Sequence, residues 1–175
     1  NTYHSWKGKD GASTSDADNW SDYTYANAGR TFMNESGWPE PSWTARIKNS
    51  GKSSATARAD SDLQFLGLQI EGNADNKARQ TLALDHGVNL SGVNQIRLAP
   101  YSALTVNGGI VSSLRCIDIS QTASLGGHGA ITGTVYNQGS FILAGHKQPV
   151  MKIYGEYHQT AKGTLEVGFN GTSRS

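Results

Sequence analysis

The chain has little of several things that would narrow its chemistry quickly. Its 175 residues contain one cysteine, so no internal disulfide can form and no multi-cysteine metal site exists. Cys116 lies in "LRCIDIS", a strand-like run in which a small buried thiol is the plain reading and a nucleophile the sharp one. Charged residues are only 17% of the chain, and 15 basic residues against 14 acidic ones leave a formal net charge of +1. That balance lacks the basic footprint nucleic acid would require, so no nucleic-acid partner is expected. Long apolar runs are missing as well, which excludes a helical membrane span. No 3.6-residue apolar stripe persists over the ten or more positions a helix needs. Low charge with 36% hydrophobic residues is still too apolar for a disordered tail, and the length supports one principal domain with a core.

What is present is glycine, 21 residues of it, set among short apolar beads. From Leu63 onward these read "LGLQI", "LAL", "IRL", "LTV", "IDI" and "TLEV", separated by turn formers such as Asn107-Gly108-Gly109, Gly126-Gly127 and Asn137-Gln138-Gly139. The upstream pieces "TARIKN" and "SATARA" alternate in the same manner and read as strand, turn, strand. Leu63, Leu84, Leu104 and Leu125 recur at intervals of 21, 20 and 21 residues. Ile70, Leu90, Ile110 and Ile131 recur at 20, 20 and 21, and Leu98 and Ile119 stand 21 apart. A period of about 20–21 residues with turns between beads predicts an all-β solenoid in which each inward side chain stacks on its counterpart one coil away. The glycines and asparagines between beads then form the corners, where positive φ is needed.

Composition divides the chain near residue 60. Residues 1–60 hold all four tryptophans, Trp6, Trp20, Trp38 and Trp43, and read as an aromatic-rich N-terminal cap; residues 61–175 read as the coils. A terminal coil exposes apolar side chains and strand edges, so bulky residues are needed to plug it. Trp6, Trp20 and Trp43 are assigned to that plug. Trp38, in "SGWPEPSW", is expected on an exposed loop with Tyr23 and Tyr25 nearby, where flat rings can stack on sugar faces.

Residues 98–167 resemble the passenger-type β-solenoid repeats of bacterial autotransporters and related exported adhesins. The resemblance is carried by "SALTVNGGIVSS", "LGGHGAITGTVYNQGSFILAG" and "GEYHQTAKGTLEV", and "DADNWSD" is similar to a short element near the start of such proteins. It implies a right-handed parallel β-helix and export to the cell surface or matrix, an expectation that the non-methionine first residue, Asn1, also fits. It says little about activity, because one coil serves many functions.

Three functions follow as expectations. The first is a non-enzymatic structural or adhesive module that associates with itself or with neighbouring coils, up to filaments. The second is a polysaccharide-binding module using Trp38, Tyr23 and Tyr25. The third is a polysaccharide lyase or hydrolase, which would need gathered carboxylates; Asp85, Asp118 and Glu156 are the coil candidates, although each reads more simply as a solvated face residue. His4, His86, His128, His146 and His158 form no ligand pair by spacing. The sequence requires no cofactor. Calcium is the one cation offered ligands, at Asp16, Asp18 and Asp22 beside Asp10 and Asn19, in a segment that also reads as a polar surface loop.

Overall fold

The structure is a computed structural model that describes residues 2–22, 43–143 and 151–167. Two strands begin it, β1 (Thr2–Trp6) and β2 (Trp20–Asp22), with a 3-10 turn at Ala17–Asn19 between them. The coils follow in sequence. The first contains β3 (Trp43–Lys48), β4 (Ala55–Ala59) and β5 (Leu63–Phe65), and the second β6 (Gly67–Glu71), β7 (Gln80–Leu84) and β8 (Leu90–Gly92). Next come β9 (Gln95–Leu98) with the long β10 (Ser102–Ser113), then β11 (Cys116–Ile119) with the long β12 (Ser124–Thr132). The last strands are β13 (Val135–Asn137), β14 (Ser140–Leu143), β15 (Met151–Tyr154), β16 (Tyr157–Gln159) and β17 (Thr164–Val167).

Except for β2, each strand pairs in parallel with the equivalent strand one coil away, which makes an all-β solenoid of about five turns. Three faces result. The first runs β16-β13-β11-β9-β6-β3-β1 and ends on antiparallel β2. The second runs β17-β14-β12-β10-β7-β4, and the third joins β5, β8, the later halves of β10 and β12, and β15. β10 and β12 each serve two faces because a register shift between Asn107 and Ile110 turns the strand at the corner.

Alternation decides which side chains are dry. On the first face Ile47, Ile70, Leu98 and Ile119 lie in one inward lane, beside Ala45, Leu68, Ile96, Ile117 and Val135. On the second face the lane is Ala57, Leu82, Leu104, Leu125 and Phe141, and on the third Leu63, Leu90, Val111 and Ile131. The stacking of Leu104 on Leu125 and of Leu98 on Ile119 follows the expected period. Other expected lane members fall elsewhere. Leu84 pairs with Ala59, Leu63 with Leu90, and Ile70 belongs to the first face whereas Leu90 belongs to the third. Ile110 points outward at 48% exposure, and Val111 takes the inward place. Coil length is the reason: the corner at residues 72–79, with a 3-10 turn at Ala74–Asn76, and the corner at 85–89 add residues to the second coil, and the shift at Asn107/Ile110 resets the alternation.

Gly127 shows what a corner demands. It occupies an inward position opposite Val106 with φ +106, and a Cβ there would collide with the Val106 carbonyl oxygen.

The two ends differ. At the N-terminal end Trp20 is fully buried, its ring edge-on to Trp6 at 5.3 Å and to Trp43 at 5.6 Å, and its Nε1 donates to the Thr14 carbonyl at 2.9 Å. Residues 11–14 lie along the outer edge of β4: Gly11 N donates to Thr56 O, Arg58 N to Ala12 O and Thr14 N to Arg58 O. These bonds satisfy backbone groups that an open sheet edge would expose. β3 and β4, although within residues 1–60, are themselves coil strands paired to β6 and β7. At the C-terminal end β15, β16 and β17 have no strand on their outer sides among the described residues. Leu165, the inward residue above Phe141, is 46% exposed, and Met151, Ile153 and Tyr157 are half-buried.

Candidate functional site

The outward side of the first face is where chemistry gathers. Its central lane reads Arg46, Gln69, Arg97, Asp118, Tyr136 and His158, one residue from each successive strand. These are the middle residues of the beads "ARI", "LQI", "IRL", "IDI", "VYN" and "YHQ", whose flanking residues point inward, so strand alternation forces the middle ones out. Strand pairing spaces them by about 4.8 Å.

Two adjoining grooves lie along this lane. One, of about 490 Å³, is lined by Arg46, Arg97 and Arg115 with Gln69, Asn94 and Gln95, and no carboxylate lines it. The other, of about 390 Å³, continues past Gln95 and Arg97 to Asp118, Tyr136 and Gln138. Gly67 keeps the first groove open, since the neighbouring outward positions on its lane carry Thr44 and Gln95.

The polar contacts across the face are uneven. Arg46 is held by Glu71 at 3.3 Å, and Glu71 also takes Gln69 Nε2 at 3.0 Å and Lys48 at 3.8 Å. Asp118 accepts from Gln95 Nε2 and from the Cys116 thiol at 3.5 Å. Burial pushes the Cys116 thiol above its ordinary pKa, and the Asp118 charge and hydrogen bond push it further, which makes it a poor nucleophile. Arg97 lies opposite Asp118 in the ladder, yet its guanidinium makes no ion pair with it. At the far end Tyr136 stacks on His158, centroids 5.0 Å apart and planes 16° apart, and His158 Nε2 is 3.0 Å from Glu156.

The residues singled out by sequence are scattered. Trp38, Tyr23 and Tyr25 lie outside the described residues, as does His146. Asp16 caps the 3-10 turn by accepting from Asp18 N at 3.0 Å, Asp10 accepts from Thr56 N at 2.8 Å, and Asp22 pairs through its backbone with His4. The first two carboxylates thus hold the N-terminal segment in place. Among the described residues no three of His, Cys, Asp and Glu converge in a way that could hold a metal ion. Asp85 follows β7 at the start of the 85–89 corner and pairs with Arg58 at 3.5 Å, remote in the ladder from Asp118. His86 and His128 stand on either side of Gly108 at the corner between the second and third faces.

Arg46, Gln69, Arg97, Arg115 and Tyr136 were not marked by sequence reasoning. The available signal was the middle letter of each bead, which an inspection for apolar residues passes over. Comparison of the chain with protein-family models, with curated proteins and with solved structures gives no match.

Proposed function

We propose that this chain is a non-enzymatic structural module of an extracellular surface or matrix, which joins to a second copy of itself through its C-terminal coil. The observation that carries the reading is the difference between the two ends. At the N-terminal end Trp6, Trp20 and Trp43 plug the coil, β1 covers β3 and residues 11–14 cover the β4 edge, which leaves β5 of that coil with no strand on its outer side among the described residues. At the C-terminal end the outer edges of β15, β16 and β17 meet no strand among the described residues, and Leu165 and Ile153 lie beside them. Unpaired parallel edges flanked by apolar side chains are a template for another strand layer. A largely covered opposite end disfavours the head-to-tail contact that would propagate a filament, so the contact this geometry supports is isologous, end against like end, closing as a pair. Placement outside the cell rests on the resemblance of residues 98–167 to exported solenoids.

Light scattering across a concentration series tests it. The native chain is expected to approach twice its monomer mass, and Leu165→Glu to remain monomeric with an unchanged circular dichroism spectrum. A native chain that stays monomeric at high concentration overturns the reading.

A further inference from the structure

We propose that the outward first face binds a linear, carboxylate-bearing polysaccharide, with Arg97 and Arg115 as its principal anion contacts. The inference is independent of pairing through the C-terminal end.

Four observations converge. First, the 490 Å³ groove is lined by three arginines and no carboxylate, on a chain whose net charge is only +1. Second, Arg97 and Arg115 are exposed and make no ion pair or side-chain hydrogen bond among the described residues, whereas Arg46 is already shared with Glu71. A guanidinium offers a planar fork of donors that matches a carboxylate. Third, the two grooves share Gln95 and Arg97 and adjoin along the solenoid axis, so the site is a trough suited to an extended chain rather than a cup suited to one small ion. Fourth, the trough offers what neutral parts of a sugar chain require: amides at Gln69, Asn94 and Gln95, an acceptor at Asp118, and the Tyr136 ring, 41% exposed.

The acceptors set between the arginines favour a hydroxyl-bearing polymer. Arg46 and Arg97 stand two strands apart, about 10 Å. Asp118 follows on the next strand, so positive charge is interrupted along the lane. Asp118 and Glu71 can accept from the ring hydroxyls that a polysaccharide carries on every sugar, donors that a single-stranded DNA backbone lacks.

The test uses the full chain and measures binding by calorimetry to polygalacturonate, to the same polymer with its carboxylates methyl-esterified, and to single-stranded oligothymidylate. Variants are Arg97→Ala with Arg115→Ala, Gly67→Leu to fill the groove, and Lys52→Ala as an exposed charge outside it. At Gly67 an added Cβ meets only ordinary contacts at 3.8 Å to Gln95 O and Thr44 Cγ2, so the filling variant is expected to fold. Expected are binding to polygalacturonate that weakens as salt rises, loss of about tenfold or more in affinity in the double-arginine and Gly67→Leu variants, and none in Lys52→Ala. The methyl ester should bind much more weakly than the acid form. No binding to polygalacturonate, equal binding of the ester, tighter binding of the oligonucleotide, or indifference to both groove variants would each overturn the proposal. Melting curves of every variant separate loss of the site from loss of the fold.

Discussion

Truncating Leu104 and Ile110 in parallel separates a stacked coil from a merely β-rich chain, because the two residues share one strand and differ in direction. Leu104 is fully buried between Leu82 and Leu125, while Ile110 is 48% exposed beyond the corner shift. Leu104→Ala removes roughly three carbon groups at about 0.8 kcal/mol each, or about 2.4 kcal/mol of transfer free energy. The ladders on both sides fix the backbone at Leu104, so the surrounding lane can collapse little and a cavity cost adds to it, giving about 3–4 kcal/mol in all. Ile110→Ala leaves no cavity and should change stability by about 0.5 kcal/mol or less. Urea unfolding monitored by far-ultraviolet circular dichroism reads the coils, and tryptophan fluorescence reads the N-terminal cap in the same samples. Agreement of the two probes is itself informative, because stacked repeats can lose cooperativity and unfold in parts. Equal destabilisation by the two substitutions, or a larger effect at Ile110, would refute the inward and outward assignment on which every lane depends.

Further perturbations probe the corners, the polar end of the core and the N-terminal segment. Gly127→Ala combines a φ of +106 with collision against the Val106 carbonyl oxygen and should cost more than Gly11→Ala, whose φ is +80 in open space; paired thermal melts compare them. Asn137 is buried with its amide donating to Tyr157 Oη and the Thr164 carbonyl, and its oxygen accepting from Gly139 N, so Asn137→Ala should cost about 1–3 kcal/mol in urea unfolding. Although burial alone would raise Asp60, hydrogen bonds from Ser13 and Ser15 and the nearby Arg58 charge hold its carboxyl below the usual range. Its contribution is therefore present above the unfolded pKa of about 3.9 and lost as pH falls through the lower folded value, so melts repeated from about pH 5 downward should converge with those of Asp60→Asn. Cys116 should react with a thiol reagent more slowly than in the urea-unfolded chain at neutral pH, and Asp118→Asn should speed it by removing the negative charge beside the thiol.

The architecture was legible because its signal is redundant. Beads such as "IRL" and "IDI" repeat the inward-outward-inward pattern on successive coils, and the step from the third coil to the fourth is 21 residues both where Leu104 meets Leu125 and where Leu98 meets Ile119. The lanes through Leu63, Leu84 and Ile110 were misread because a fixed period carries no information about corner insertions. The second coil is longer at residues 72–79 and 85–89, and a one-residue change of phase exchanges an inward side chain for an outward one. The groove was hidden for the same reason. Arg46 and Arg97 are distant in sequence and become neighbours but one only when the lengths of two unequal coils are known. The carboxylates Asp10 and Asp16 attracted notice as a cluster, yet their oxygens accept backbone N–H groups of the β4 edge and the 3-10 turn.

The stacking itself can be measured as one distance. Thr56 and Thr164 face outward on the second face and are linked through Thr81, Ala103, Ser124 and Ser140, five strand steps in all. Nitroxide labels at these two positions, in a Cys116→Ser background, should give by double electron–electron resonance a narrow distribution centred near 24 Å between backbones, widened by the label arms. A broad distribution, or one centred at nearly twice that separation, would contradict a solenoid in which each coil rests on the one before it.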